Sequence, residues 1–193
     1  YTMKSKVLAL ILLCGAASLG AKVKLPALVG DNMILQQQTE VKLWGTAAPE
    51  AEVRVTPSWN GQTMTCRADK DGGWTLAVET PAAGYTPYEI TFDDGEKTTL
   101  KNILIGEVWL ASGQSNMEMP LKGFAGCCIM NGADDIIVSA ENKGVRMFTV
   151  PKHQTYELQT DCKGSWNISS IETAPDFSAT ARSEERRVGK ECR

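Results

Sequence analysis

From Val23 to about Leu100 the chain alternates apolar and polar residues in short runs, each closed by Gly, Asp or Asn, and this two-residue period commits the stretch to β structure. Successive side chains on a strand point to opposite faces, so alternation buries one face and wets the other. Val41-Lys42-Leu43-Trp44 ends at Gly45, and Glu52 to Thr56 places Val53 and Val55 on one face. Asn60-Gly61 is the pair that favours a two-residue hairpin turn, and Met64, Cys66 and Ala68 alternate after it. Asp71-Gly72-Gly73 leads into Trp74-Thr75-Leu76-Ala77-Val78, while Tyr88, Ile90 and Phe92 line a further face before Asp93-Asp94-Gly95. Short strands at this spacing predict a β-sandwich over residues 21–101.

Near Asn102 the pattern changes. Ile103 to Ala111 is an almost continuous apolar run, as expected of a strand covered on both faces in a parallel sheet. Ala133, Ile136, Ile137 and Ala140 then fall at helical spacing, with Asn131 as the candidate N-cap and Gly144 as the stop. Val145 to Val150 alternates as a strand before Pro151, so strand, helix and strand predict a right-handed crossover. Residues 102–181 are therefore expected to be the start of a second, α/β domain.

Both ends read differently from the middle. Lys4 and Lys6, the apolar run Val7 to Cys14, and Ser18-Leu19-Gly20 have the order of an export signal over residues 1–20, with Tyr1-Thr2 upstream of a start at Met3. Export predicts a periplasmic or extracellular location. The run falls short of the roughly 20 apolar residues a bilayer span needs, and Leu13 before Cys14 argues against lipidation. Residues 182–193 are dense in charge with only Val188 and Cys192 apolar, and read as a non-native tail that cannot join a core.

Composition narrows the partners. The 193 residues are 42% hydrophobic and 22% charged with a net charge of -3, which leaves no basic footprint for nucleic acid. Of six cysteines, Cys14 and Cys192 lie in the two end segments. Cys66, Cys127, Cys128 and Cys162 permit disulfides without defining a pairing. They lack zinc-site spacing, and no Gly-rich phosphate loop is present, so neither metal nor cofactor is expected.

Chemistry concentrates at Gly113-Gln114-Ser115-Asn116-Met117. A serine acts as a nucleophile when a tight turn exposes its hydroxyl, a base removes its proton and N–H groups stabilise the oxyanion. Ser115 is the candidate nucleophile, its own N–H is one candidate oxyanion donor, and Gly113, Gln114 and Asn116 are expected to shape the turn. Met117 stands where the nucleophile elbow of α/β-hydrolases has glycine, so that elbow is not spelled here. His153 is the one histidine in the chain, has no acid three positions before it, and reads as a loop residue rather than a base. Glu107 and Glu118 flank the serine segment and are expected to orient backbone rather than move protons. Trp109, Met117, Met119 and Trp166 fit a core or the lining of a sugar pocket.

Leu25-Pro26, Asp31-Asn32-Met33-Ile34-Leu35-Gln36, Gly106 to Glu118 and Phe177-Ser178-Ala179, taken in order, resemble the sialate O-acetylesterase family of SGNH, or GDSL-like, carbohydrate esterases. The resemblance runs from Val23 to Ala181 and implies that Ser115 attacks an acetyl ester of sialic acid or a related glycan to give an acetyl-enzyme. It implies no cofactor beyond water. The family's downstream Asp-x-x-His pair and its further Gly and Asn oxyanion donors find no match here. The general base is thus absent from these residues, and the chain is expected to be an N-terminal fragment, inactive alone. The alternative is a non-catalytic carbohydrate-binding or surface module in which Ser115 is an incidental turn residue. Oligomeric state is not fixed by the sequence.

Overall fold

In the computed structural model, which describes residues 22–181, the alternating segments become seven strands. These are β1 (Ile34–Gln36), β2 (Glu40–Thr46), β3 (Glu52–Pro57), β4 (Met64–Arg67), β5 (Gly73–Glu79), β6 (Gly84–Asp93) and β7 (Lys97–Gly106). The expected signal (residues 1–20) and tail (182–193) lie outside the described residues. Where a β-sandwich is expected, residues 22–106 hold a five-stranded mixed sheet of order β1-β7-β6-β3-β4 and a two-stranded antiparallel ribbon, β2-β5. Period-two burial holds closely: Trp74, Leu76 and Val78 are buried on β5, Val53 and Val55 on β3, Ile90 and Phe92 on β6. These side chains form one apolar core with Met33, Leu43 and Ile103. Each such burial is worth about 1.5–3 kcal/mol against exposure.

Two local expectations are corrected. Asn60-Gly61 does not make a two-residue hairpin, because the β3-β4 connection takes the whole of 58–63. Ser58 is drawn to β6, its N–H bonding Glu89 O at 2.8 Å and its Oγ accepting from Glu89 N at 2.9 Å, while the Trp59 indole bonds Glu79 O. Gly61, at φ 65°, still supplies the left-handed residue of that loop.

The second correction concerns Ile103–Ala111. β7 ends at Gly106, so this strand crosses position 102, where the change of pattern suggested a boundary. Its parallel neighbour is the upstream β1, with Ile34 against Leu104 and Gln36 against Gly106. Residues 107–113 are not strand, and Val108, Trp109 and Leu110 are 43%, 67% and 97% exposed. No described strand lies beside them to satisfy their backbone or cover their side chains.

Beyond them come α1 (Ser115–Glu118), α2 (Gly132–Glu141), β8 (Arg146–Phe148), β9 (Trp166–Ile168) and a 3-10 turn at Ala174–Asp176. The expected crossover is not formed, since β8 pairs antiparallel with β9 rather than parallel with β7. Asn131 stands at the N-cap of α2, but its backbone is left-handed at φ 60° and its side chain makes no capping bond. The buried positions of α2 are Gly132 and Ser139, with Ile136 half-buried, so the apolar stripe is rotated and Ile137 faces solvent. A second, smaller core gathers Leu121, Ala174, Phe177 and Ala179, with Ile129, Ile136 and Met147 packed on it.

Arg146 ties the two cores together. Its guanidinium donates to Asn32 O (2.9 Å), Asn102 O and Asn102 Oδ1 (3.1 Å), and Asn102 Nδ2 donates to Asn32 Oδ1 at 2.7 Å. Both asparagines are left-handed, at φ 64° and 59°, a conformation Asn tolerates better than most residues. Trp166 adds a bond from its indole N–H to Leu28 O at 2.9 Å. Arg146→Ala would strand those acceptors, and hydrogen bonds to charged groups are worth about 1.5–3 kcal/mol each. The expected result is accelerated limited proteolysis between residues 145 and 168 while the core around Phe92 stays protected, measured by mass mapping of the cut sites.

Candidate active site

The site begins where β1 and β7 stop together. Gln37 N–H bonds Gly106 O at 2.8 Å, after which main-chain pairing ends and side chains take over. Gln36 Nε2 donates to Glu107 Oε2 at 3.0 Å and Gln37 Nε2 to Glu107 Oε1 at 2.6 Å, while Val108 N–H donates to Gln36 Oε1 at 2.9 Å. These amide donors, Gln36 foremost, hold the Glu107 carboxyl below the ordinary glutamate range. A folded-state pKa below the unfolded one means this contribution is full above the unfolded value and lost as pH falls through the lowered folded value. A carboxyl-carbon NMR titration should place Glu107 below the value of a free glutamate side chain, with Gln36→Leu moving it back up.

Ser115 opens α1, a single turn closed by Met117 N–H and Glu118 N–H onto Gln114 O at 2.9 and 3.2 Å. It is exposed, and its hydroxyl has no hydrogen-bond partner among the described residues. Gly113 packs against this turn, where a Cβ would lie 3.3 Å from Met117 Cβ, so a larger residue there would crowd it. The turn is held from its far side by 175–180. Thr180 Oγ1 donates to Asn116 O (3.0 Å), Ser178 Oγ to Met117 Sδ (3.3 Å), Ala179 N–H to Met119 O (2.8 Å), and Leu121 N–H to Phe177 O (2.9 Å). Phe177-Ser178-Ala179 is therefore a clasp on the serine turn.

The remaining candidates divide. Glu118 pairs with Lys152 at 2.6 Å, bringing the loop that carries His153 beside α1, but His153 is exposed and shares no bond with Ser115. Trp109 lies on the exposed stretch, whereas Trp166 is packed on the first core and edge-on to Phe148 at 5.6 Å. Met117 and Met119 are half-buried beneath the turn. Sequence reasoning missed Gln36, Gln37, Ser178 and Thr180 as the holders of the serine segment.

All four described cysteines are free thiols, and no described cluster of three or more His, Cys, Asp or Glu could hold a metal ion. Cys127 and Cys128 are exposed, while burial pushes the half-buried Cys66 thiol up. Because the thiolate is the reactive form, iodoacetamide near pH 8 should alkylate Cys127 and Cys128 well before Cys66, read by peptide mass mapping. No described helix is long and apolar enough to cross a membrane.

The solved structure of a carbohydrate acetylesterase from Xanthomonas citri superposes with a TM-score of 0.77 at 30% identity, over 86% of this chain and 38% of that one. The likeness in fold is thus to a carbohydrate acetylesterase. Rat sialate O-acetylesterase is 27% identical over 175 residues, 83% of this chain, and the human one 29% over 161 residues, 77% of it. Along most of its described length the chain is similar to the sialate O-acetylesterase family. It spans 31% of the length of the rat relative and 29% of the human one. No protein-family model matches it.

Proposed function

We propose that this chain carries the nucleophile of a carbohydrate O-acetylesterase and that Ser115 is that nucleophile. The observation that carries the reading is an exposed hydroxyl, without a hydrogen-bond partner among the described residues, on a one-turn helix whose backbone is gripped by Thr180 and Ala179. A base supplied by the rest of the longer protein takes the Ser115 Oγ proton as the oxygen bonds the acetyl carbonyl carbon, the ester bond from that carbon to the sugar oxygen breaks, and the base returns the proton to the sugar hydroxyl. Water then attacks the acetyl-serine, releasing acetate and restoring the hydroxyl. The Ser115 N–H supplies one donor to the oxyanion. The relatives' names point to acetylated sialic acids or related glycans as the substrate.

In this reading the two β sheets are a sandwich-type domain, and residues from Glu107 onward begin an SGNH-like α/β domain of an exported enzyme. Exposed Val108, Trp109 and Leu110 fit a strand awaiting neighbours from a longer protein. With His153 as its one imidazole and no Asp-x-x-His pair, the 193-residue chain is expected to hydrolyse acetyl esters poorly by itself. Losing general-base assistance alone costs roughly 10²- to 10⁴-fold. The test is a fluorophosphonate probe on the longer protein: a covalent adduct mapped to Ser115 supports the esterase. An unlabelled but folded and complete protein would favour the carbohydrate-binding module instead.

A further inference from the structure

We infer that Glu107, fixed between Gln36 and Gln37, is a positioning residue that sets where the serine segment leaves the β sheet, and that this position must hold a group that only accepts hydrogen bonds. The inference rests on the reading of Ser115 as nucleophile. Between Gly106 and Gln114 the chain has no strand pairing, and the bond from Val108 N–H to Gln36 Oε1 is the one main-chain hydrogen bond described for residues 107–113. Everything that orients this length of backbone from the β1-β7 side therefore passes through the Gln36-Glu107-Gln37 cluster.

The orientation of both amides is dictated by main-chain donors. Val108 N–H takes Gln36 Oε1, and Ala83 N–H takes Gln37 Oε1 at 2.8 Å. An amide presents its oxygen and its NH₂ on opposite sides, so both NH₂ groups are left facing Glu107. A carboxylate accepts from both. A glutamine accepts with one atom and presents a second NH₂ to the other, so one donor pair would face off and the exit of the chain would shift. Catalytic groups held by supporting hydrogen bonds keep their geometry, and a displacement of about 1 Å at a reacting group can cost about 10²-fold.

The test is made in the longer protein, with turnover normalised to sites titrated by the fluorophosphonate. Glu107→Gln should lower turnover per titrated site roughly 10- to 100-fold with KM within about twofold. The double variant Gln36→Glu with Glu107→Gln restores every complementary pair. Its carboxylate at position 36 accepts from Val108 N–H and from the new amide NH₂ at position 107, while the oxygen of that amide accepts from Gln37. It should recover most of the lost turnover at unchanged net charge. Unchanged turnover per site in Glu107→Gln, even with lowered thermal stability, would reduce the cluster to a structural contact. A loss that the double variant does not recover would overturn the donor-acceptor account. Ser115→Ala separates the two readings. If it still hydrolyses ester, the nucleophile and the positioning role both fall; if it is dead while Glu107→Gln is unimpaired, only the positioning role falls.

Discussion

Replacing Ser115 with alanine in the longer protein is expected to lower kcat for acetyl-ester hydrolysis on the order of 10⁴-fold or more while leaving the protein folded. The size follows from chemistry, because the acetyl-enzyme cannot form without the hydroxyl oxygen. The absence of a folding effect follows from position. Ser115 is exposed, its hydroxyl makes no bond among the described residues, and alanine suits the first position of a helical turn. Surface substitutions of this kind stay within about 0.5 kcal/mol. Steady-state kinetics beside a urea melt would show the two effects apart, and a variant retaining most of its rate would remove Ser115 from the mechanism.

The largest expected loss of stability comes from Phe92→Ala. Phe92 is 0% exposed on β6, where it faces Val55 of β3 and Thr98 of β7 in register, with its ring 5.8 Å from that of Trp74 on β5. Three strands of the sheet and one of the ribbon therefore meet at a single ring. Removing it takes away the transfer free energy and leaves a cavity, together about 3–5 kcal/mol, against a total stability of about 5–15 kcal/mol for a typical domain. Phe92→Leu, which keeps more of the volume, should cost markedly less. Urea titration followed by tryptophan fluorescence would read both, and equal midpoints for wild type and Phe92→Ala would show that this is not the centre of the core.

A period of two announces some positions of this chain and is silent about others. Trp74, Leu76 and Val78 alternate and are buried as alternation demands, because one sheet face is enough to satisfy a period of two. β1, with three residues, has no length over which a period could appear. Its register against β7 depends on residues 70 positions away, such as Asp31 accepting from Lys101 N–H. The run Ile103–Ala111 records what its side chains would bury, and the structure shows burial only as far as Ile105, with Gly106 half-buried and Val108 to Leu110 in the open. At the site, Gly113-Gln114-Ser115-Asn116 is legible because turn chemistry is local. Gln36 and Gln37 are not, since an amide is a solvated polar side chain until tertiary structure points a backbone N–H at it. Arg146 is equally silent, one cation in an alternating run whose partners, Asn32 just before β1 and Asn102 within β7, are brought together by the pairing of those strands.

The union of β1 with β7 also fixes an order of events. As the chain emerges from synthesis, Ile34-Leu35-Gln36 must wait for Leu104-Ile105-Gly106 before it finds its ladder, and structures built on such distant pairings nucleate slowly. Hairpins such as β6-β7 can zip early from nearby residues, whereas the bonds from the amides of 36 and 37 to residue 107 join positions 71 and 70 apart and need β1 and β7 already side by side. On the reading proposed for Ser115, its hydroxyl is thus set in place only after the strands behind it have come together.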